Sequence, residues 1–175
     1  MDQRRRIDRV TAPEYLDGLE TWPIAELRTR RTETTEEESL LSYERRVIHG
    51  RIAILEAELD QRSGNATGSL VDRLSQILSD GTMGGSRGGA NLTDPKILFD
   101  TPSRPTTKLA MDDTLTRLDE LSDDEIRGKV EALRGAEREV SELRSAVQRV
   151  LDTLNEELGR RYASGDADPA DILHS

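Results

Sequence analysis

Apolar residues recur along the second half of the chain with the spacing of one face of a long helix. From Val140 onward they are separated by steps of 7, 4, 3 and 4 residues. Alternating three- and four-residue steps form the seam of a coiled coil, because a supercoiled helix repeats its face every ~3.5 residues. The seam comprises Ile126, Val130, Leu133, Val140, Val147, Leu151, Leu154 and Leu158.

A row of polar residues, here called the second polar row, runs beside this seam. Its members stand at offsets of 0, 4, 7, 11 and 15 and are Glu137, Ser141, Arg144, Gln148 and Asp152. At ~100° per residue they fall within about 80° of one another along roughly 22 Å of helix. Glu137 and Arg144 also occupy seam positions, where charges destabilise a helix pair unless they are paired or bind a ligand. On this helix alone, a ligand site and control of helix register explain the row equally well.

The same arrangement occurs earlier in the chain, at a separation of 99 residues. The apolar seam recurs as Leu41, Ile48, Ile52, Leu55 and Leu59. In the first polar row, Glu38, Ser42 and Arg45 match the Glu, Ser and Arg of the second row, whereas His49 and Ala53 replace its Gln and Asp. A scaffold does not require matched polar residues twice, so the repeat favours a ligand site with a pseudo-two-fold axis, in which Arg45 can lie near Arg144.

The two apolar seams and the long linker between them predict an all-α fold, a long antiparallel two-helix coiled-coil hairpin. The predicted segments are an N-terminal arm with short helices over 1–32, a first long helix over 33–62, a flexible linker over 63–112 carrying one short amphipathic helix over 69–79, a second long helix over 113–163 and a disordered tail over 164–175. The opening basic run MDQRRRIDR is expected to be disordered. Capping boxes at 35–38 and 122–125 indicate helix starts. Alternatively, the first helix begins at Pro23, a favoured first residue.

The two polar rows and their flanks resemble the RsiG family, the cyclic-di-GMP-dependent anti-sigma factors of sporulating actinomycetes. Each of the two long antiparallel helices in that family carries the pattern E-x3-S-x2-R-x3-Q-x3-D. Residues 137–152 match all five letters, and residues 38–53 match three of them. The likeness covers about residues 8–62 and 119–162.

This resemblance implies that the protein binds cyclic-di-GMP, as a stacked pair, between its helices and then sequesters a sigma factor of the WhiG or flagellar type. Arginine suits the O6 and N7 acceptors of guanine, and carboxylates suit its N1 and N2 donors. The implied ligand residues are Glu38, Ser42, Arg45, His49, Glu137, Ser141, Arg144, Gln148 and Asp152. Ala53 cannot accept a hydrogen bond, and losing one charge-assisted bond weakens binding by about 10- to 150-fold.

Composition narrows the remaining function classes. With 34% hydrophobic and 34% charged residues, the chain is too poor in apolar residues for a compact globular core of its length, but elongated helices need less core. The absence of cysteine excludes disulfides and thiolate chemistry. The lack of an apolar run of 18 residues favours a cytoplasmic protein without membrane spans.

Charge and histidine content bear on partners and on catalysis. The formal net charge of -10 disfavours direct binding to nucleic acid and suits a basic protein partner such as a sigma factor. The chain has only His49 and His174 as histidines and shows no nucleophile–base arrangement, so we expect neither a metal site nor an enzyme. The alternative to the anti-sigma hypothesis is a structural coiled-coil module, or a sigma binder that does not need the nucleotide.

Overall fold

A computed structural model of the protein describes residues 5–64 and 104–165, and every regular element in these ranges is a helix. The elements, in chain order, are α1 (Arg6–Val10), 3₁₀ turns at Pro13–Leu16 and Leu19–Thr21, α2 (Ile24–Arg62), α3 (Pro105–Ala110), a 3₁₀ segment at Thr114–Glu120 and α4 (Asp123–Ser164). The two long helices, α2 with 39 residues and α4 with 42, pack together. The predicted all-α class is confirmed. The helix predicted over 69–79 and the tail beyond residue 165 lie outside the described residues.

The contacts divide the chain into two compact units, and each long helix contributes to both of them. Unit 1 comprises Met1–Leu40 with Glu142–Ser175, and unit 2 comprises Leu41–Ser141. No helix in the described ranges is long and apolar enough to cross a membrane.

Within each unit, side chains of α2 bind side chains of α4. In unit 1, Arg28 donates to the Tyr162 hydroxyl (3.1 Å) and Arg31 to Asn155 Oδ1 (2.6 Å). In unit 2, the pairs are Arg45 with Glu137 (2.9 Å), Glu56 with Arg134 (2.7 Å) and Arg62 with Asp123 (3.3 Å). In either unit, a later residue of α2 pairs with an earlier residue of α4.

The apolar seams predicted from the sequence form the buried rows of both helices. On α4, every seventh residue is at most 2% exposed: Ile126, Leu133, Val140, Val147 and Leu154. On α2, the corresponding row is fully buried: Leu27, Thr34, Leu41, Ile48 and Leu55. The other predicted seam positions are more mixed, since Val130 is buried whereas Ile52, Leu59 and Leu151 are half-buried. Burial of two heptad rows explains why these segments are helical despite their high charge.

The first long helix begins earlier than the predicted residue 33. It starts at Ile24, immediately after Pro23, as the alternative start predicted. Thr35 does not cap a helix, because its hydroxyl donates to the Arg31 carbonyl (2.8 Å) as part of a continuous helix. The buried Leu27 is the physical reason, since its packing extends the helix through the local capping signal.

The second capping box forms, but the second long helix starts later than the predicted residue 113. The Ser122 amide donates to the Glu125 carboxylate (2.8 Å), and the Glu125 amide donates to Ser122 Oγ (3.3 Å). The Ser122 hydroxyl also donates to the Glu125 carboxylate (2.7 Å), and this bond, followed by that from the Ser122 amide, lowers the pKa of Glu125. Helix α4 therefore begins at Asp123, and the residues before it form the 3₁₀ segment.

The described parts of two segments that were predicted to lack structure contain packed helices. The basic run at the start was expected to be disordered, yet it ends in α1, whose Ile7 and Val10 are buried. The predicted linker over 63–112 ends in α3, where Thr106 and Ala110 are buried. Helices α1 and α3 are short and have weak apolar periodicity, so their structure depends on packing rather than on local sequence signals.

A charged face of α2 holds these segments in place. Every seventh residue along this face is charged: Arg30, Glu37, Glu44 and Arg51. In unit 1, Arg30 donates to the Tyr15 carbonyl (2.5 Å), and Glu37 accepts from Arg6 of α1 (2.8 Å).

The same face continues in unit 2, where it binds the segment around α3. Glu44 accepts from Arg104 (2.8 Å), the residue before α3, and Arg51 donates to the Asp112 carbonyl (3.0 Å). We refer to these four α2 residues as the charged row. Its heptad spacing is visible in the sequence but does not reveal which segments it binds.

Candidate functional site

Four residues of the two polar rows meet in unit 2, around the carboxylate of Glu137. Its Oε1 accepts from Arg45 Nε (2.9 Å) and Ser141 Oγ (2.7 Å), and lies 3.1 Å from His49 Nε2. The Ser141 hydroxyl also accepts from Arg45 Nε (3.0 Å). We call these four residues the Glu137 cluster.

The Glu137 cluster strongly favours an ionised carboxylate. The hydrogen bond from Ser141, together with those from Arg45 and His49, lowers the pKa of Glu137 from 4.5 to about 2, against a partial burial that acts in the opposite direction. Glu137 is only 22% exposed, so its charge is held in a partly desolvated position by these donors. All three donors reach Oε1, and Oε2 has no hydrogen bond to the described residues.

A second cluster forms in unit 1 around Glu38. Its Oε1 accepts from Arg144 Nε (3.0 Å) and from Gln148 Nε2 (3.4 Å). Glu38 is 17% exposed and Arg144 is 31% exposed, so this ion pair is also partly shielded from water. We call Glu38, Arg144 and Gln148 the Glu38 cluster.

The two clusters share a glutamate–arginine pair between the two long helices, with the roles of the helices exchanged. In each, the glutamate of one polar row accepts from the arginine of the other row. His49 and Gln148 hold the same position in their respective rows. His49 contacts Glu137, and Gln148 contacts Glu38. The repeat at a separation of 99 residues therefore corresponds to a repeated set of contacts.

Two further predicted site residues lie on the same two helices. Ser42 is half-buried on α2, and Asp152 is exposed on α4. Asp152 makes no hydrogen bond or ion pair with the described residues, so its carboxylate faces solvent. The sequence alone did not indicate that the five letters of the second row divide between two units.

A cavity of about 370 Å³ lies beside Ala53 in unit 2. Its wall includes His49 and Glu137 of the polar rows, and also Arg134 and Arg138, which the sequence reasoning did not single out. Neither arginine is one of the five letters: Arg134 lies three residues before Glu137, and Arg138 directly follows it. Their positions become meaningful only once the Ala53 cavity is known.

A wider groove of about 1060 Å³ lies in unit 1 and contains no member of the polar rows. Its wall includes Arg6, Arg9, Arg28, Arg31 and Tyr162. Arg6 is paired with Glu37, and Arg28 donates to Tyr162, so part of this surface is used for internal packing. The volume of a groove or cavity therefore does not identify the ligand site that the repeat predicts.

The chain matches a known protein family. A model of the RsiG-like family matches residues 13–78 and 112–174, ranges that include both polar rows. The chain belongs to the RsiG-like family. Membership indicates an anti-sigma factor role, with a sigma factor as partner and a regulatory rather than catalytic activity. A search of curated proteins found no match.

Proposed function

We propose that this RsiG-like protein binds cyclic-di-GMP between its two long helices and, in that form, sequesters a sigma factor of the WhiG or flagellar type in the cytoplasm. Sequestration would repress the sporulation or motility genes that the sigma factor transcribes. The observation that carries the proposal is the repeated contact set, in which each polar row provides the glutamate of one cluster and the arginine of the other.

The unused hydrogen-bonding groups of the Glu137 cluster match the edges of guanine. Arg45 donates to the cluster only through Nε, so its two terminal nitrogens have no hydrogen bond to the described residues. They are suited to a pair of acceptors such as O6 and N7 or two phosphate oxygens. Glu137 Oε2 is suited to accept from N1 or N2. One arginine and one carboxylate thus offer donors and acceptors to the same base.

The proposed mechanism couples the nucleotide to the sigma factor through the helix pair. Glu137 and Arg144 lie at seam positions, where a charge weakens helix packing unless it is paired with an opposite charge or binds a ligand. A nucleotide that binds the arginines and carboxylates of both helices would stabilise one register. The order of the α2–α4 contacts in each unit supports an antiparallel hairpin as the form that is stabilised. Stabilising that form would favour the surface that the sigma factor binds, as coupling between two binding sites requires.

A second candidate is a structural coiled-coil module, or a sigma binder that needs no nucleotide. It is favoured by the direct pairing of these charges, since Glu38 binds Arg144 and Glu137 binds Arg45. Paired charges of this kind can fix helix register by themselves. The two candidates differ in whether guanine nucleotides bind.

Calorimetric titration of the full chain with cyclic-di-GMP tests the ligand. We expect binding of cyclic-di-GMP but not of cyclic-di-AMP, and a loss of about 10- to 150-fold in affinity in Arg144→Ala, because one charged donor is removed. Arg149→Ala is the matched control, since Arg149 is exposed on the same helix and outside the polar row. Absence of cyclic-di-GMP binding would support the coiled-coil module instead.

Sedimentation of the chain with a purified WhiG-type sigma factor tests the partner. We expect a complex when cyclic-di-GMP is present and free proteins when it is omitted. The Arg144→Ala variant should then need a higher nucleotide concentration to form the complex. Equal complex formation with and without nucleotide would favour the nucleotide-independent sigma binder.

A further inference from the structure

The cavity beside Ala53 is open to a ligand group at the place where the first polar row lacks its carboxylate. Its volume of about 370 Å³ is at the lower end of the range for small-ligand pockets, roughly 300–1,000 Å³. His49 and Ala53 form part of one wall, and Glu137 and Arg138 form part of the other. The cavity therefore adjoins the Glu137 cluster, which faces it through Glu137 and His49.

The charged side chains around this cavity differ in the ion pairs and hydrogen bonds that they make with the protein. Arg134 is bound by Glu56 and Glu131, both at 2.7 Å. Glu137 accepts from Arg45 at 2.9 Å. Arg138, by contrast, is exposed and makes no hydrogen bond or ion pair with the described residues. It is thus a cation on the cavity wall with all of its donors available.

The Arg138 side chain lies along the surface of α4 next to Gly135. A Cβ atom placed on Gly135 would lie 4.0 Å from Arg138 Nη2, so the guanidinium extends back along α4 over the glycine. Long helical side chains point towards the N terminus of their helix in this way.

The chemistry of the cavity favours the acceptor edge of guanine. Ala53 cannot accept from N1 or N2, Glu56 already binds Arg134, and Glu137 binds Arg45 through Oε1, which leaves Oε2 as its one oxygen without a hydrogen bond to the described residues. Arginine is the side chain that binds guanine O6 and N7 together, through two parallel hydrogen bonds. A base in this cavity would therefore be recognised mainly through donors from the protein.

We propose that Arg138, which is not part of the five-letter pattern, determines base specificity in the Ala53 cavity by donating to O6 and N7 of one guanine of cyclic-di-GMP. This inference rests on the proposed nucleotide binding. It differs from the recognition by arginine and carboxylate described above, because the guanine in the Ala53 cavity is recognised mainly by arginine. Arg138 supplies donors where the first polar row has lost an acceptor.

Calorimetric titration of the full chain with cyclic-di-GMP tests the assignment. Arg138→Gln should weaken binding by about 10- to 150-fold, since it removes a charge-assisted pair of hydrogen bonds. Arg46→Gln is the matched control, because Arg46 is exposed, makes no ion pair with the described residues and does not line the cavity. Its affinity should stay close to that of the native chain, and circular dichroism should show both variants equally helical.

A ligand analogue separates direct base recognition from a general effect of charge. The 7-deazaguanine analogue of cyclic-di-GMP lacks the N7 acceptor, so the penalty of Arg138→Gln should be much smaller with this analogue than with cyclic-di-GMP. Arg138→Lys keeps the charge but not the two-pronged geometry, and should bind cyclic-di-GMP with intermediate affinity.

The outcomes distinguish this inference from the proposed function on which it rests. If the native chain does not bind cyclic-di-GMP, both fail. If it binds but Arg138→Gln binds equally well, only the assignment of Arg138 is overturned. Equal losses in the Arg138 and Arg46 variants, or an unchanged penalty with the 7-deaza analogue, would also overturn it, since neither result requires contact with the base.

Discussion

At the scale of single residues, Glu137 brings together the contacts on which the site depends. Its Oε1 is contacted by side chains from both polar rows. The sequence predicted that Glu137 and Arg45 belong to one site, because both positions recur in the repeat. It did not predict that each arginine binds the glutamate of the other row, since spacing along one helix does not define contacts with another.

The lowered pKa of Glu137 predicts a specific loss of stability in acid. Its carboxylate has a pKa of about 2 in the folded chain and an ordinary value of 4.5, so its stabilising contribution is complete above pH 4.5 and disappears as the pH falls towards 2. We expect the free energy of unfolding in urea to fall less steeply over this interval in Glu137→Gln than in the native chain.

The control for this pH series is Glu139→Gln, because Glu139 is an exposed neighbour without a hydrogen bond to the described residues. Its pH dependence should follow that of the native chain. Identical slopes for the native chain and Glu137→Gln would show that the cluster does not stabilise the carboxylate.

At the scale of elements, two capping boxes with equally good local sequence had different outcomes. The one at Ser122 begins α4, whereas Thr35 lies inside α2. Packing explains the difference, since Leu27 and Thr34 are fully buried and extend α2 towards Pro23. Local sequence thus predicted the existence of both long helices but not the start of the first.

Alanine substitutions at the two boxes should therefore differ in cost. Ser122→Ala removes an N-cap and should lower the free energy of unfolding by about 1 kcal/mol. Thr35→Ala removes only a hydroxyl bond to a carbonyl of the same helix and should change it by less than about 0.5 kcal/mol. Amide hydrogen exchange should show faster opening at the first turn of α4 in Ser122→Ala alone. Equal costs would contradict the assignment of Thr35 to a helix interior.

The charged row of α2 was not predicted because a charged residue usually indicates a solvated face. Glu44 is instead 1% exposed and paired with Arg104, which is 7% exposed. Glu44→Gln removes the carboxylate charge from this buried ion pair, and removing one partner of a buried pair is strongly destabilising, so we expect a loss of about 3–5 kcal/mol in the free energy of unfolding.

The comparison for Glu44 is Glu36→Gln, which breaks an ion pair with Arg6 at a glutamate that is 57% exposed. This change should cost less than about 1 kcal/mol, because exposed ion pairs contribute little. Both variants can be measured by urea unfolding at neutral pH. Equal costs would mean that burial of the Glu44–Arg104 pair has no energetic consequence.

At the scale of the whole molecule, composition predicted an all-α chain with long helices, because few apolar residues at heptad spacing can bury only a narrow seam. Composition did not predict the packed α1 and α3. Their few buried residues are docked through ion pairs to α2, and such long-range pairs leave no periodic signal in the short segments themselves.

The net charge of -10 leads to a prediction about partner binding that rests on the proposed function. If an acidic surface of this chain meets basic surfaces of the sigma factor, salt should weaken the complex, because the Debye length shortens from ~10 Å at 0.1 M to ~3 Å at 1 M. With cyclic-di-GMP saturating, we expect the association rate to fall as salt is raised, while the dissociation rate changes less.

Stopped-flow measurements at several salt concentrations can separate the two rates, with nucleotide binding measured alone as a control. An association rate that does not depend on salt would show that the acidic charge has no part in recognising the sigma factor.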